Sequence, residues 1–289
     1  MVPAALLEWN RTRKKKLQRK LLEQKRAAGA VWTKEKLVTS LKEAGVDANR
    51  DLLVHSAMSK IGYVDGGPAT VVAAMQELLA PSSTLLMPTS PVVTLQAKHE
   101  LALFDVTSTP SKMGAITEYF RANVASHRSA HPLEPVAAFG PRAEEYTSLH
   151  HTDSTSYGTN SPWRKHMENN GQILYIGTTL INSGTSLHAV EDAIGHENFK
   201  FPIYLDHRKT FNVLFQGRTL SITSTVHNPV WSNKRECDGL IPLLETKGAL
   251  KHVTVGEAPA LLVDAAKMKS ILLEEYALRG VTMYTPQGS

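Results

Sequence analysis

Asp51-Leu-Leu-Val54, the glycine-rich loop His55-Ser-Ala-Met-Ser-Lys-Ile-Gly-Tyr-Val-Asp-Gly-Gly67, and Pro68 form the stretch that decides the fold class. The short apolar run reads as a buried strand. Pro68 is suited to the first turn of a helix, because its missing N–H would have no partner there. That helix is expected to reach about Leu79. The same rhythm repeats outward. Thr33 caps a helix through Glu43 that Gly45 ends. Thr84-Leu-Leu-Met-Pro88 and Gln172-Ile-Leu-Tyr-Ile-Gly177 read as further strands, and a Gly/Ser/Thr loop leads from the latter to a helix starting at Ser186. Strands alternating with helices predict a central, partly parallel sheet.

Beyond residue 200 the rhythm changes. Residues 202–205, 210–215 and 219–226 read as strands of an antiparallel meander, with Gln216-Gly217 as the hairpin turn. Helices are expected at 239–245 and from 263 to about 278. The expected architecture is a single α/β domain over residues 31–289, with a mixed, partly parallel central sheet and antiparallel strands near 200–227. Residues 1–30 are expected to form a basic helical extension.

Charge separates these two parts. The 289 residues carry a net charge of +5, but residues 1–30 hold nine Lys/Arg and two Asp/Glu. The other 259 residues carry 23 basic and 25 acidic side chains, so the body is slightly acidic. Such a body does not support nucleic-acid binding. In the extension, Leu6, Trp9, Leu17, Leu21 and Ala28 share a helical stripe, and Arg11, Arg13, Lys14, Lys15, Lys16, Arg19 and Lys20 cover much of the rest. An anionic surface, a membrane face or a partner subunit would suit it, but a solvated helix docked by its leucines onto the body or a second copy is favoured, because basic runs are usually solvated faces. With 42% hydrophobic residues the chain can bury a sizeable core, and no apolar run approaches the roughly 18 residues of a membrane span. Met1–Leu7 lacks the order of a secretory signal, so the cytoplasm is the expected compartment. The single cysteine, Cys237, excludes an internal disulfide framework and a Cys-rich zinc module.

Three segments carry candidate chemistry. The 55–67 loop precedes a helix N-terminus, where unpaired N–H groups suit phosphate, although it fits neither the Walker A nor the dinucleotide fingerprint. In Gly184-Thr-Ser-Leu-His-Ala-Val-Glu-Asp192, helical spacing lets Thr185 and His188 share a face, and likewise His188 and Glu191, while Asp192 is a second partner for His188. A carboxylate-held imidazole can take a proton near neutral pH. Arg128-Ser-Ala-His-Pro132 is a polar loop with another histidine. Twelve histidines invite a metal reading, but no recognised ligand spacing is present, and no metal is expected. Gly-x-Ser-x-Gly is also absent.

Taken in order, these segments resemble the aminoglycoside 3-N-acetyltransferase, or antibiotic N-acetyltransferase, family. The matching stretches include Leu53-Val-His-Ser-Ala-Met-Ser-Lys-Ile-Gly62 with Gly66-Gly67, Thr84-Leu-Leu-Met-Pro-Thr89, Met113-Gly114 and Arg128-Ser-Ala-His-Pro132. Ala138-Phe-Gly140, Ser161-Pro162, Ile173-Leu-Tyr-Ile-Gly177 and the diagnostic Thr185-Ser-Leu-His-Ala-Val-Glu191 follow. The resemblance spans about residues 33–280. It implies acetyl-coenzyme A as co-substrate and a small-molecule amine as acceptor, an aminoglycoside or a similar amine such as a biosynthetic intermediate. A non-catalytic coenzyme-binding scaffold is the alternative from another class. It also implies coenzyme contacts at His55, Ser56, Ser59, Gly62 and Gly66, and at Arg128, Ser129 and His131 near the cleft. The catalytic set implied is His188 as base, Glu191 as its partner, and Thr185 nearby. No nucleic acid is required, and the tail's leucines would permit a homodimer. Where family members commonly have two serines, this chain has Ser56-Ala57, and the basic tail has no counterpart in the family pattern.

Overall fold

The computed structural model describes residues 12–13, 16–17, 20–21, 23–92 and 100–288. In chain order the strands are Val31–Trp32 (β1), Leu52–Ser56 (β2), Tyr63–Val64 (β3), Leu85–Pro88 (β4), Leu103–Asp105 (β5) and His127–Arg128 (β6). Val136–Phe139 (β7), Gln172–Ile176 (β8), Lys209–Phe215 (β9), Arg218–Ser224 (β10), Leu250–Val255 (β11) and Ala258–Asp264 (β12) complete them. The main sheet runs β11-β12-β8-β2-β4-β7-β6. Its middle trio, β8, β2 and β4, is parallel, and each flank is antiparallel.

A parallel strand covered on both faces must be apolar on both, and β2 and β8 are. Leu52, Val54, Leu174 and Ile176 face one layer, with helices Lys34–Glu43, Pro68–Leu78 and Ala115–Asn123. Leu53, Ile173 and Tyr175 face the other, with helices Pro162–Glu168, Leu187–Ile194 and Ala265–Arg279. The start of β2 is fixed by a buried carboxylate. Asp51 accepts from the Thr84 N–H at 2.7 Å, Arg142 Nη1 at 3.0 Å and Tyr146 Oη at 2.5 Å. Burial of a charge is tolerated because every side is bonded.

The smaller sheet, β10-β9-β5, is a hairpin extended by one parallel strand. Its turn is Gln216-Gly217, both with positive φ (51° and 74°), as a tight two-residue hairpin turn demands. Helix starts follow the sequence signals: Thr33 accepts from Lys36 N, Pro68 occupies the first turn, and Leu187–Ile194 follows Ser186.

Other expectations are corrected. Residues 202–205 form no strand; Tyr204 makes an isolated bridge to His227, and Pro202 supplies no N–H to a ladder. The last helix begins at Ala265, not 263, because Val263 and Asp264 finish β12 and Asp264 caps the helix by accepting from Lys267 N at 2.9 Å. The β11–β12 hairpin escaped the sequence reading, as did β6 and β7, which frame the segment read as a polar loop. At 239–245 the chain makes a 3-10 turn, Cys237–Leu240, and then the helix Ile241–Thr246.

In the basic extension, residues 12–13, 16–17, 20–21 and 23–27 are helical. Leu6, Trp9, Arg11, Lys14, Lys15 and Arg19 lie outside the described residues. Leu17 and Leu21 are 59% and 52% exposed, so these two do not dock on the body. Among the described residues of the extension the contacts to the body are polar: Lys25 pairs with Glu257, and Arg26 sits 5.6 Å over the Tyr63 ring. No helix among the described residues is long and apolar enough to cross a membrane.

Candidate active site

Parallel strands put their following loops at one edge of a sheet, where open α/β sheets bind ligands. The register Ser56↔Ile176 aligns the ends of β2 and β8, and β4 runs in the same direction. The loops after β4 and β8 line a cleft of about 300 Å³, contributing Ser90 and Val92, and Leu180 to Thr185, respectively. Met113, Glu134, Tyr157, His188, His227, Arg235 and Cys237 complete most of its wall.

Local chain geometry aims His188 into this cleft. After β8 the chain turns through Leu180–Ser183 and Gly184, whose N–H reaches the Leu180 carbonyl at 2.6 Å. A Cβ on Gly184 would lie 2.4 Å from that oxygen, so glycine is needed for this close approach. In the helix that follows, Leu187, Val190 and Ile194 pack towards Leu240, Leu272, Val281 and Met283. His188 and Glu191, one turn apart, face a neighbouring side. His188 Nδ1 contacts Glu191 Oε2, and both side chains are buried. Asp192 is engaged elsewhere, accepting from Thr155 Oγ1 at 2.6 Å. The structure thus pairs His188 with Glu191. Thr185 is half-buried at the entrance to the same helix, and its carbonyl accepts the His188 N–H at 3.1 Å.

The dyad sits in an aromatic enclosure. The His188 ring centroid is 4.3 Å from His227 and 4.9 Å from Tyr157, and Tyr204 stacks on the far side of His227 at 4.8 Å. Burial pushes the Glu191 carboxyl up to about 8, against the opposing pull of the Arg235 charge. With its proton on Nδ1, the His188 ring would donate to Glu191 and keep a lone pair on Nε2. His188, Glu191 and His227 bring ligand-type atoms within 4.8 Å of one another, the one such group among the described residues. With Nδ1 already committed to Glu191, the group is arranged for handling protons rather than for enclosing a cation.

The residues expected from the resemblance to contact a coenzyme are placed differently. Ser56, half-buried at the end of β2, has an oxygen that is buried and makes no hydrogen bond. Ser59 is exposed in the 3-10 turn Met58–Lys60. Gly62 (φ 103°) is closely approached by Trp32 and Glu257, and Gly66 (φ 74°) precedes Gly67, the helix cap. His55 instead points into the core, stacked on Tyr175 at 4.9 Å, and burial lowers its pKa to about 3. Arg128 is committed to holding the chain: it donates to Thr89 Oγ1, Thr89 O, Val106 O and Thr109 O, and lies over Phe104. Ser129 bonds His150 at 2.8 Å, and His131 stacks on His150 at 4.7 Å. These three residues form a buried network rather than cleft wall.

Tyr157, His227, Glu134 and Arg235 were not singled out as site residues from sequence. His227 was one histidine among twelve; no local spacing marks it, since its place comes from the bridge to Tyr204.

The description "Aminoglycoside 3-N-acetyltransferase" belongs to the family model that matches residues 53–275. The aminoglycoside N(3)-acetyltransferase VIII of Streptomyces fradiae is 31% identical over 189 residues, covering 60% of this chain and 64% of that protein. The aminoglycoside N(3)-acetyltransferase III of a Salmonella species is 29% identical over 186 residues, with the same coverage. The chain therefore spans just under two thirds of these relatives. The structure of AAC-IIIb in a binary complex with CoASH superposes with a TM-score of 0.69 at 22% identity, covering 86% of this chain and 97% of that one. That likeness shows a shared fold.

Proposed function

Since the chain belongs to the aminoglycoside 3-N-acetyltransferase family, we propose that it transfers an acetyl group from acetyl-coenzyme A to an amine of an aminoglycoside or a similar small molecule. The observation that carries this reading is the buried His188–Glu191 pair, opening onto a cleft at the ends of the parallel strands.

The residues present fit a bound thioester: Ser56 offers a buried oxygen without a bond, and the loops after β2, β4 and β8 converge on one sheet edge. Acetyl-coenzyme A supplies the acyl group. The chain supplies the base and the surroundings. An ammonium must lose a proton before its nitrogen can attack a carbonyl, and His188 Nε2 accepts it. Glu191 holds the ring through Nδ1 and stabilises the resulting imidazolium. The Thr185 hydroxyl and backbone N–H groups near Ser56 are the candidate donors to the oxyanion. Tyr157 and Tyr204 keep bulk water from the dyad, which strengthens each of these interactions. Cys237 is buried and its thiol is pushed up to about 11, so the scheme needs no acyl-thiol intermediate.

The test is thiol release from acetyl-coenzyme A across a panel of amines. His188→Ala should lower kcat by about a hundredfold or more, while calorimetric coenzyme binding survives. Unchanged turnover in folded His188→Ala protein would remove His188 from the reaction.

A further inference from the structure

Arg235 is a charged residue of the cleft that acetyl transfer, as derived above, does not require. It follows the short helix Pro229–Ser232 and shares the cleft wall with Thr185, His188 and His227. Its guanidinium donates through Nη2 to Ser232 Oγ at 2.6 Å and lies beside the Tyr284 hydroxyl and the Glu191 carboxyl. Its Nε is buried and makes no hydrogen bond. A guanidinium presents five donors in a planar fork that matches carboxylate or phosphate, and a buried donor left unpaired is costly unless a ligand completes it.

The remaining charge in the wall sharpens the point. Among the described lining residues Arg235 is the one Lys or Arg, and Glu134 is the one carboxylate. Glu191 is bonded to His188. An anionic group bound in this cleft would therefore find its one cationic partner in Arg235, as an ammonium would find its carboxylate in Glu134.

We propose that Arg235 is an anion-recognition subsite of this cleft, taking a carboxylate or phosphate group of the molecule bound there. The anion belongs either to the acceptor, making it an amine that also carries an acid, or to the coenzyme's phosphates. The proposal rests on the acetyl-transfer reading only for the identity of these two sources. Its first measurement needs no turnover, so failure of that reading and failure of this one are distinguishable.

Inorganic pyrophosphate is titrated calorimetrically into the full-length protein and into Arg235→Gln, with circular dichroism confirming the fold of each. Loss of a charge-assisted, forked contact should weaken pyrophosphate binding at least about tenfold. Arg235→Lys keeps the charge without the fork and should fall between the two. If coenzyme A affinity falls by the same factor in Arg235→Gln, the anion is the coenzyme's. If it holds while a preference for an aminocarboxylate over the diamine of equal length is lost, the anion is the acceptor's. Equal pyrophosphate affinity in the full-length protein and folded Arg235→Gln overturns the proposal, as does an absence of binding at millimolar concentration. A role for Arg235 solely as countercharge to Glu191 would give that second result.

Discussion

Replacing Glu191 by Gln removes one charge and almost no volume from the dyad, and its cost follows from the geometry. The His188 ring and the Glu191 carboxyl are bonded and buried, so proton uptake by Nε2 creates an ion pair with little screening. Opposite unit charges about 4 Å apart attract by about 4 kcal/mol at an effective dielectric constant of about 20. An amide forfeits most of that, which corresponds to about a thousandfold in kcat. The pH dependence should change as well. With burial holding the Glu191 carboxyl protonated up to about 8, wild-type turnover should rise as the pH approaches that value and level off above it. Stability should run the other way. The folded carboxyl holds its proton up to about 8, whereas in the unfolded chain it ionises near its model value of 4.5, so folding takes up a proton between these values. Stability from this group is therefore greatest at low pH, falls as pH rises through that window, and is flat above it. Glu191→Gln should abolish both slopes. The assays are thiol release at saturating substrates from pH 6 to 9, and thermal unfolding over pH 5 to 8. A folded Glu191→Gln enzyme within about threefold of wild-type kcat, or one that keeps the wild-type pH profile, would refute the reasoning.

Asp51→Ala strands the buried Tyr146 hydroxyl and the Thr84 N–H and leaves Arg142 only Glu145, and urea unfolding should show a loss of about 3 kcal/mol, with kcat per folded molecule little changed. Cys237→Ser should retain thiol-release activity, because the thiol is buried and protonated at neutral pH; a folded but inactive mutant would point to an acyl-cysteine route. Deletion of residues 1–30 should leave coenzyme affinity and acetyl transfer nearly intact and lower Tm modestly through loss of the Lys25–Glu257 contact; a tenfold rise in acceptor KM would mean that the extension covers the cleft.

The legible parts of this chain were those whose physics is local. Pro68, Thr33 and Gln216-Gly217 mark their elements because a missing N–H, a capping hydroxyl and a pair of positive φ angles act within a few residues. His188 and Glu191 were visible for the same reason: one helical turn separates them. What escaped depends on distant partners. Strand β12 reads ambiguously until it pairs with β8, nearly 90 residues earlier, and β6 until it meets β7. His227 and Arg235 reach the cleft through a loop whose course no local spacing encodes. Spacing alone left Glu191 and Asp192 equivalent, and the helix's packing separates them, turning Asp192 to Thr155. Arg128 carries a motif match, yet its donors are spent on backbone carbonyls and Thr89, which only the fold reveals.

The strand order carries a consequence for synthesis. β2 is complete by residue 56, but one of its two neighbours in the sheet, β8, begins at residue 172, and β5 waits for β9 about a hundred residues on. On the ribosome, an apolar strand edge is therefore made long before its cover, the condition that favours association between nascent chains. A chain halted in that interval holds the 55–67 loop but none of the dyad, and one halted before residue 235 has His188 without a closed wall around it. The sheet and the wall of the cleft are completed together, late, and from the C-terminal half.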